Sequence, residues 1–242
     1  TDDVNSQAYQ IQFVNVSKEY IDRLVNEGKL FLFQIYNKDF AEKKSGKKNL
    51  HTLYWENLFS EENLKDVIDE LMEKCGDSPA FAGWYFAHEI SRKAAWRVVE
   101  LFRELGPYCK KISGNKPIMM SPGIQGPKGL IADLYPPAER KARSVTFEQH
   151  REEWDYMMNR LQGAVDIIAF QDGHPDYEDL ETFQRINVEL CAKYGFECWS
   201  NIEAFDRDIR NPKFQVINWE KMRFKMQSAE NAGCSKFITF PP

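Results

Sequence analysis

The stretch Phe81-Ala-Gly-Trp-Tyr-Phe-Ala-His-Glu-Ile90 is apolar and aromatic over its first seven residues and turns polar at His88 and Glu89. It is bounded by turn residues and followed by a segment of helical periodicity, which is typical of a buried parallel strand. A carboxylate at the carboxyl end of such a strand stands where α/β barrels carry their chemistry. The run Cys198-Trp-Ser-Asn-Ile-Glu203-Ala-Phe205 has the same design. Glu89 and Glu203 are therefore the candidate chemical groups.

Strand and helix patterns alternate along the chain. Strands are predicted at 9–15, 29–36, 81–89, 116–121, 165–173, 197–205 and 236–240. Helices are predicted at 17–26, 49–59, 60–74, 91–112, 146–161, 177–194 and 218–232, with Gly106-Pro107 as a point where the fourth can be interrupted. A polar loop is expected after residue 205. This alternation predicts an α/β fold with a parallel sheet, a TIM-like (β/α) barrel. Since a closed barrel needs eight strands, either one strand escapes recognition or the barrel is incomplete.

The composition is that of a globular protein. Of the 242 residues, 43% are hydrophobic and 29% charged, and the formal net charge is −5. That charge gives no general attraction for nucleic acid or for a membrane surface. No signal peptide is recognisable, and no apolar run approaches the ~20 residues of a membrane span, so we expect no membrane partner. The five cysteines form no C-x-x-C motif, and we expect them to be free thiols.

Three ordered motifs carry a resemblance to a known family. They are Phe81–Tyr85 with His88–Arg92, then Val165-Asp-Ile-Ile-Ala-Phe-Gln-Asp-Gly-His174, and Cys198-Trp-Ser-Asn-Ile-Glu-Ala-Phe-Asp-Arg-Asp208. From about residue 69 to the end, the sequence resembles an uncharacterised bacterial family of glycoside-hydrolase-like TIM barrels. The resemblance implies that the strands from residue 81 onward are the fourth to eighth of a barrel. The family's first strands are not recognisable upstream.

The resemblance also implies a chemistry. Glycoside hydrolysis usually needs two carboxyl groups across the scissile bond. In the large retaining-glycosidase clan of TIM barrels, strands four and seven carry the acid/base and the nucleophile. By that analogy Glu89 is the acid/base, Glu203 is the nucleophile, and the substrate is a carbohydrate. The alternative is that both are solvated carboxylates at strand ends.

Several neighbouring residues are candidates for binding the sugar. Strand alternation places Asn201 and Trp199 on the same face as Glu203. Polar and aromatic groups near the ends of the other strands join them: Gln171, Asp172, His174 and Tyr85. Each has an ordinary alternative, since Asp-Gly is a turn dipeptide and the aromatic residues suit core packing equally well. Arg92 and Arg207 either orient carboxylates through two-pronged contacts or are ordinary surface residues.

No cofactor is expected, because the chain has no P-loop and no dinucleotide fingerprint. It also has no G-x-S-x-G motif for a serine nucleophile. His88, Glu89, Asp172 and His174 are the residue types that bind a metal. These residues lack ligand spacing within any one element, so no metal is expected.

Residues from about 9 to 68 carry a second resemblance. Lys29-Leu-Phe-Leu-Phe-Gln-Ile-Tyr-Asn-Lys-Asp-Phe40 and Lys48-Asn-Leu-His-Thr-Leu-Tyr-Trp55 are similar to the wedge region of type V CRISPR RNA-guided nucleases. In that family the wedge grips the handle of the guide RNA. The resemblance implies RNA contacts from a basic loop: Lys43, Lys44, Lys47, Lys48, Asn49 and His51. A solvated loop is the alternative.

The two resemblances meet near residues 64–70. They suggest a chimera in which residues 1–68 form a wedge-like βαβα segment, packed as part of the barrel, and residues 69–242 form the glycoside-hydrolase-like portion. Three functions follow as hypotheses: a retaining glycoside hydrolase, a guide-RNA-binding fragment, and a non-catalytic carbohydrate-binding barrel or scaffold. The sequence decides neither the sugar nor the oligomeric state.

Overall fold

The computed structural model describes residues 26, 31–35, 61–127, 144–208 and 211–240. In chain order the elements are β1 (Phe31–Ile35), α1 (Glu61–Cys75), β2 (Phe81–Phe86), a short 3₁₀ helix (Lys93–Ala95), α2 (Trp96–Ile112), β3 (Ile118–Met120), α3 (Phe147–Leu161), β4 (Ile167–Gln171), α4 (Tyr177–Tyr194), β5 (Glu197–Glu203), β6 (Phe205–Asp208), β7 (Asn211–Val216), α5 (Trp219–Ala232) and β8 (Lys236–Phe240). The strand predicted at 9–15 and the helix predicted at 49–59 lie outside these residues, as does the helix at 17–26 except for Asn26.

The βα order confirms the predicted fold class. The pairs β1–β2, β4–β5 and β5–β8 are all parallel. Helices separate most successive strands of this parallel set, as in an α/β fold of the TIM-like type. The parallel strands number six in the part of the chain that the structure describes, whereas a closed barrel has eight. Within that part, the barrel is incomplete.

The chain divides into two compact units. The first comprises residues 1–87 and 100–119, and the second comprises residues 88–99 and 120–242. Each has its own buried core. Among the described helices, none combines the length and the apolar character needed to cross a membrane.

In the first unit the strand order is β1-β2-β3. A close backbone approach fixes the second of these strands: the Trp84 N–H donates to the Pro117 carbonyl at 2.9 Å. A Cβ at position 83 would lie 2.3 Å from the same oxygen, so only glycine fits there. The buried Trp84 indole donates to Ser113 Oγ at 3.0 Å, and Phe81 packs edge-on against its ring at 5.3 Å. The polar end of the largest core side chain is thereby satisfied.

Near this unit, the break that the sequence allows at Gly106-Pro107 does not occur, and the predicted end of one strand was wrong. Helix α2 runs through Pro107 without a break. Pro107 and Arg103 are both exposed, so water can satisfy the Arg103 carbonyl that a proline at position 107 leaves without its helical N–H donor. Strand β2 ends at Phe86, three residues before the predicted end. Beyond it the chain belongs to the second unit, where the Ile90 carbonyl accepts from the Gly123 N–H at 3.0 Å.

In the second unit the segment from Met120 lies beside β4, and the order continues β4-β5-β8. All five residues of β4 are buried, as expected for a strand covered on both faces. The register pairs Gln171 with Asn201 and Glu203 with Phe240. The carboxyl ends of these strands therefore meet along one edge, where parallel α/β sheets place their sites.

The helices of the second unit begin where the sequence predicts. Thr146 and Gln149 form a reciprocal capping box at the start of α3, and the Asn218 side chain caps α5. Helix α4 ends at Gly195, whose φ of +80° favours glycine. Beneath α3, Trp154 packs edge-on against Phe170 of β4 at 4.8 Å.

The polar loop expected after residue 205 was partly wrong. Residues 205–208 and 211–216 pair as an antiparallel two-stranded sheet, with Phe205 opposite Val216. The segment 206–213 is mostly polar, so hydrophobic alternation does not mark it as a strand. It directly follows Glu203 and lies outside the parallel sheet.

Candidate active site

Glu89 lies three residues beyond the end of β2 and is exposed to solvent. Its Oε1 accepts a hydrogen bond of 3.1 Å from Gln171 Nε2. The same amide donates to the Ser121 carbonyl at 2.7 Å, and Gln171 is only 7% exposed. A buried amide fixed at a second point therefore orients a solvent-accessible carboxylate.

Asn201 lies beside this amide on the neighbouring strand. Its Nδ2 donates to Ser121 Oγ at 2.8 Å, and Ser121 Oγ donates onward to the Ala169 carbonyl at 2.7 Å. Asn201 Oδ1 is buried and accepts no hydrogen bond from any residue that the structure describes. A buried amide oxygen in this state is suited to a hydroxyl donor from a ligand.

Glu203 is the last residue of β5 and is 3% exposed. Its carboxylate lies directly over Gly173: a Cβ at position 173 would stand 1.7 Å from Glu203 Oε2 and 2.7 Å from Oε1. No other residue leaves room for the carboxylate in this position. The Asp-Gly pair after β4, which the sequence also allows as an ordinary turn, therefore forms one wall around Glu203.

Asp172 and Lys225 hold the backbone of Glu203. Asp172 Oδ1 accepts from the Glu203 N–H at 2.9 Å. Lys225 Nζ, from α5, donates to Asp172 Oδ1 at 3.0 Å and to the Glu203 carbonyl at 2.9 Å. The side chains of this ion pair are 3% and 0% exposed. Buried charges are tolerated when they are paired and hydrogen-bonded.

Burial dominates the electrostatics around these groups. It raises the pKa of Asp172 above its ordinary value, while the Lys225 ammonium and the Glu203 N–H oppose that change. Asp172 Oδ2 is buried and has no hydrogen-bond partner in the described part of the chain. Burial also lowers the pKa of His88 to about 4, so this imidazole is neutral at pH 7 and adds no charge beside Glu89.

The remaining predicted sugar-binding residues lie in different places. His174 is buried at 8% exposure, with Nδ1 3.8 Å from where a Cβ on Gly123 would stand. Trp199 lies near the amino end of β5, donating to Glu197 Oε2 at 3.0 Å, with Lys236 Nζ 4.7 Å from its ring centre. Tyr85 is a half-buried residue of β2 in the first unit.

The residues predicted to contact RNA cannot be placed. They lie outside the described part of the chain: Lys43, Lys44, Lys47, Lys48, Asn49 and His51.

The loop after Glu89 is anchored to helix α3. Arg92 Nε and Nη2 donate to the two carboxylate oxygens of Glu153 at 2.9 and 2.8 Å, and the Lys93 N–H adds a third bond at 2.8 Å. The Glu153 carboxylate raises the pKa of Arg92 through this contact. The two-pronged contact considered for Arg92 therefore exists, and its partner is a structural carboxylate.

Sequence reasoning missed three residues of the site. Ser121 links Gln171 to Asn201, Gly173 makes room for Glu203, and Lys225 holds its backbone. A signal for Lys225 was present, because the buried face of α5 otherwise consists of small residues, namely Ser228, Ala229 and Ala232. A lysine on such a face predicts a buried partner.

One cluster of acidic residues has the geometry to hold a cation. Asp176, Glu178 and Asp179 offer oxygens within 4.8 Å of one another at the start of α4. Acidic residues are common at helix N-termini, where their negative charge interacts favourably with the positive end of the helix dipole. This cluster of described residues contains none of the metal-ligand candidates from the sequence, which are His88, Glu89, Asp172 and His174.

Solved structures resemble the chain over most of its length. A candidate alpha-L-fucosidase from Bacteroides thetaiotaomicron is 34% identical, with a TM-score of 0.74 over 92% of this chain and 63% of its own. Two structures of endo-beta-1,4-mannanase from Thermotoga petrophila are 11% and 12% identical, with TM-scores of 0.59 and 0.60. They align with 91% and 95% of this chain and with 66% and 52% of their own. At that identity the mannanases support the fold alone. The chain spans less than two thirds of each of these proteins.

A family model matches residues 17–241 in a single stretch. The match runs through residues 64–70, where the sequence suggested a join. Since it covers most of the chain, the protein belongs to the family described as Domain of unknown function (DUF4434).

Proposed function

We propose that this chain carries the active site of a retaining glycoside hydrolase, with Glu89 as the acid/base and Glu203 as the nucleophile. One observation carries the proposal: three consecutive residues at the end of β4 contact both glutamates. Gln171 donates to the Glu89 carboxylate, Asp172 accepts from the Glu203 N–H, and Gly173 lies against the Glu203 carboxylate. The similarity to a candidate fucosidase at 34% identity supports the same reaction class.

In the proposed reaction the two carboxyl groups take separate steps. Glu203, buried and held at both backbone groups, would attack the anomeric carbon while Glu89 gives its proton to the departing glycosidic oxygen. Glu89, which is exposed, would then take a proton from water as that water attacks the same carbon and releases Glu203.

The buried polar groups around Glu203 suit a sugar ring. Asn201 Oδ1 and Asp172 Oδ2 can each accept a hydroxyl proton, since neither has a partner in the described part of the chain. The Gln171 side chain has both a donor nitrogen and an acceptor oxygen. Each ring nitrogen of His174 donates or accepts according to the tautomer. Trp199 and Tyr85 stay predictions as surfaces for the sugar C–H groups.

The first experiment is a hydrolysis screen of the 242-residue chain with 4-nitrophenyl glycosides. It begins with the α-L-fucoside, because the 34% identical relative is a candidate fucosidase, and continues with β-mannosides and other common sugars. The anomer released first is read by proton NMR. Retention supports the proposal, and inversion contradicts it.

Two alanine variants then separate the roles. Glu203→Ala and Glu89→Ala are both expected to lose activity with unactivated substrates. With added azide, Glu203→Ala should yield a glycosyl azide of inverted configuration, whereas Glu89→Ala should yield one of retained configuration. Glu197→Gln is the matched control, because Glu197 starts the same strand and is exposed.

Two other outcomes would favour other functions. Sugar binding without turnover of any glycoside would favour the non-catalytic carbohydrate-binding barrel. Salt-sensitive affinity for a guide-RNA handle, lost when Lys43, Lys44, Lys47 and Lys48 are replaced together, would favour the RNA-binding fragment.

A further inference from the structure

Lys225 is an unusual residue for the inner face of a helix. Its side chain is 3% exposed, and the other buried residues of α5 are Ser228, Ala229 and Ala232. Moving an ammonium group out of water is unfavourable unless hydrogen bonds and an opposite charge compensate it. A buried lysine therefore needs partners, and the partners show what the residue does.

Both partners of Lys225 belong to the edge that carries Glu203. The ammonium donates to Asp172 Oδ1 at 3.0 Å and to the Glu203 carbonyl at 2.9 Å. Asp172 Oδ1 accepts in turn from the Glu203 N–H at 2.9 Å. The three bonds hold both backbone groups of Glu203 with side chains alone.

These side chains replace a missing stretch of strand. The Asn201 carbonyl accepts from the Asp172 N–H at 3.2 Å, so the backbone groups of residue 201 face β4. Because strand residues alternate with period two, the groups of Glu203 face the same way. A regular parallel ladder would bond them to the β4 backbone, but β4 ends at Gln171. Asp172 and Lys225 supply the acceptor and the donor instead.

The bonds to the Glu203 backbone also determine where its carboxylate lies. With its backbone fixed, Glu203 extends its side chain from a set point of the strand and places its carboxylate against Gly173. The Lys225 charge also offsets that of Asp172, so the groups that hold Glu203 form a neutral pair. We propose that Lys225 is a positioning residue, which holds the Glu203 carboxylate where it reacts. This inference rests on the proposed function, in which Glu203 is the nucleophile.

The test compares Lys225→Met, which keeps the length of the side chain, with Lys221→Met. Lys221 lies one turn earlier on α5 and pairs with Asp206 near the surface. Lys225→Met should lower kcat by about 100-fold, the scale of a 1 Å misplacement, with KM changed less than about threefold. The rate at which an activated 2-deoxy-2-fluoro glycoside labels Glu203 should fall in parallel. Lys221→Met should leave all three quantities near wild type.

A double variant separates positioning from simple stability. Lys225→Met leaves Asp172 buried without its cation, so the single variant can fail to fold. Asp172→Asn/Lys225→Met has no buried charge, keeps an acceptor for the Glu203 N–H and should fold like the wild type. Its kcat should stay below that of Asp172→Asn alone, which loses the same carboxylate but keeps Lys225. Normal kcat and labelling in the folded double variant would overturn the inference.

Crystal structures of the wild type and the double variant provide a readout without activity. The inference predicts that the Glu203 carboxylate shifts by about 1 Å or more or becomes disordered, and an unmoved carboxylate overturns it. If the wild type hydrolyses no glycoside and takes no label, the proposed function fails, and the crystal structures still decide the positioning role.

Discussion

Gly173→Ala is the sharpest perturbation of the proposed nucleophile. The new Cβ would stand 1.7 Å from Glu203 Oε2, and ordinary van der Waals contact begins at 3.4 Å, so the carboxylate has to move by about 1.7 Å. The obstructed group is the end of a flexible side chain, and its displacement should leave the backbone intact. The variant is therefore expected to fold while its nucleophile is misplaced.

The magnitude follows from the displacement. Misplacement by about 1 Å costs on the order of 100-fold in rate, which corresponds to about 2.7 kcal/mol of transition-state stabilisation. We expect kcat to fall at least 100-fold, with little change in KM and a melting temperature within a few degrees of wild type. The assay is steady-state hydrolysis of the best glycoside, with circular dichroism as the check on folding.

Gly123→Ala is the matched control. A Cβ at position 123 meets Ser91 Cβ at 3.6 Å and His174 Nδ1 at 3.8 Å, both ordinary contacts, so kcat should stay within a few-fold of wild type. A folded Gly173→Ala variant with wild-type kcat would show that the position of the Glu203 carboxylate does not set the rate.

Three further predictions concern groups around the site. Lys225→Met should lower the free energy of unfolding by about 3–5 kcal/mol, because it leaves a buried carboxylate unpaired; urea denaturation should show recovery when Asp172→Asn is added, and equal stability of the single and double variants would contradict this. Burial lowers the pKa of His150 from 6.5 to about 4. Between pH 6.5 and pH 4 the imidazole therefore binds a proton only in the unfolded state, and the folded state loses stability as the pH falls. His150→Gln should flatten the acid-unfolding curve between these pH values, and an unchanged slope would argue against a buried neutral imidazole. A lysine at position 92 has one nitrogen and cannot make the bidentate contact with Glu153 that arginine makes. Arg92→Lys should therefore lower kcat several-fold with a small loss of stability. An unchanged kcat would mean that the Arg92–Glu153 contact does not order the loop after β2.

Much of the fold could be predicted because hydrophobic periodicity records burial. The runs at residues 81–86, 167–171 and 197–203 are apolar and end in polar residues, so both the strands and the edge that carries Glu203 follow from the sequence. The hairpin after Glu203 could not be predicted, because its polar residues show no alternation. The end of β2 was missed because no glycine or proline separates Phe86 from Ile90, so the sequence does not mark where the ladder stops.

The site was harder to predict than the fold. Carboxylates at strand ends follow from topology, and so does the proximity of Gln171 and Asn201 on neighbouring strands. The roles of Gly173 and Lys225 depend on atoms brought together from segments 22 to 53 residues apart along the chain, which no local pattern records. The role of Lys225 is indicated only by the small residues on the buried face of α5.

The central claim is that Glu203 becomes covalently bonded to the sugar, and the most direct measurement is the mass of the trapped enzyme. The wild-type chain is incubated with activated 2-deoxy-2-fluoro glycosides of the sugars that it hydrolyses, and the labelled protein is digested and sequenced by mass spectrometry. The account predicts one sugar per chain, on the peptide that contains Glu203. A label on another residue, or hydrolysis with inversion and no label, would contradict it.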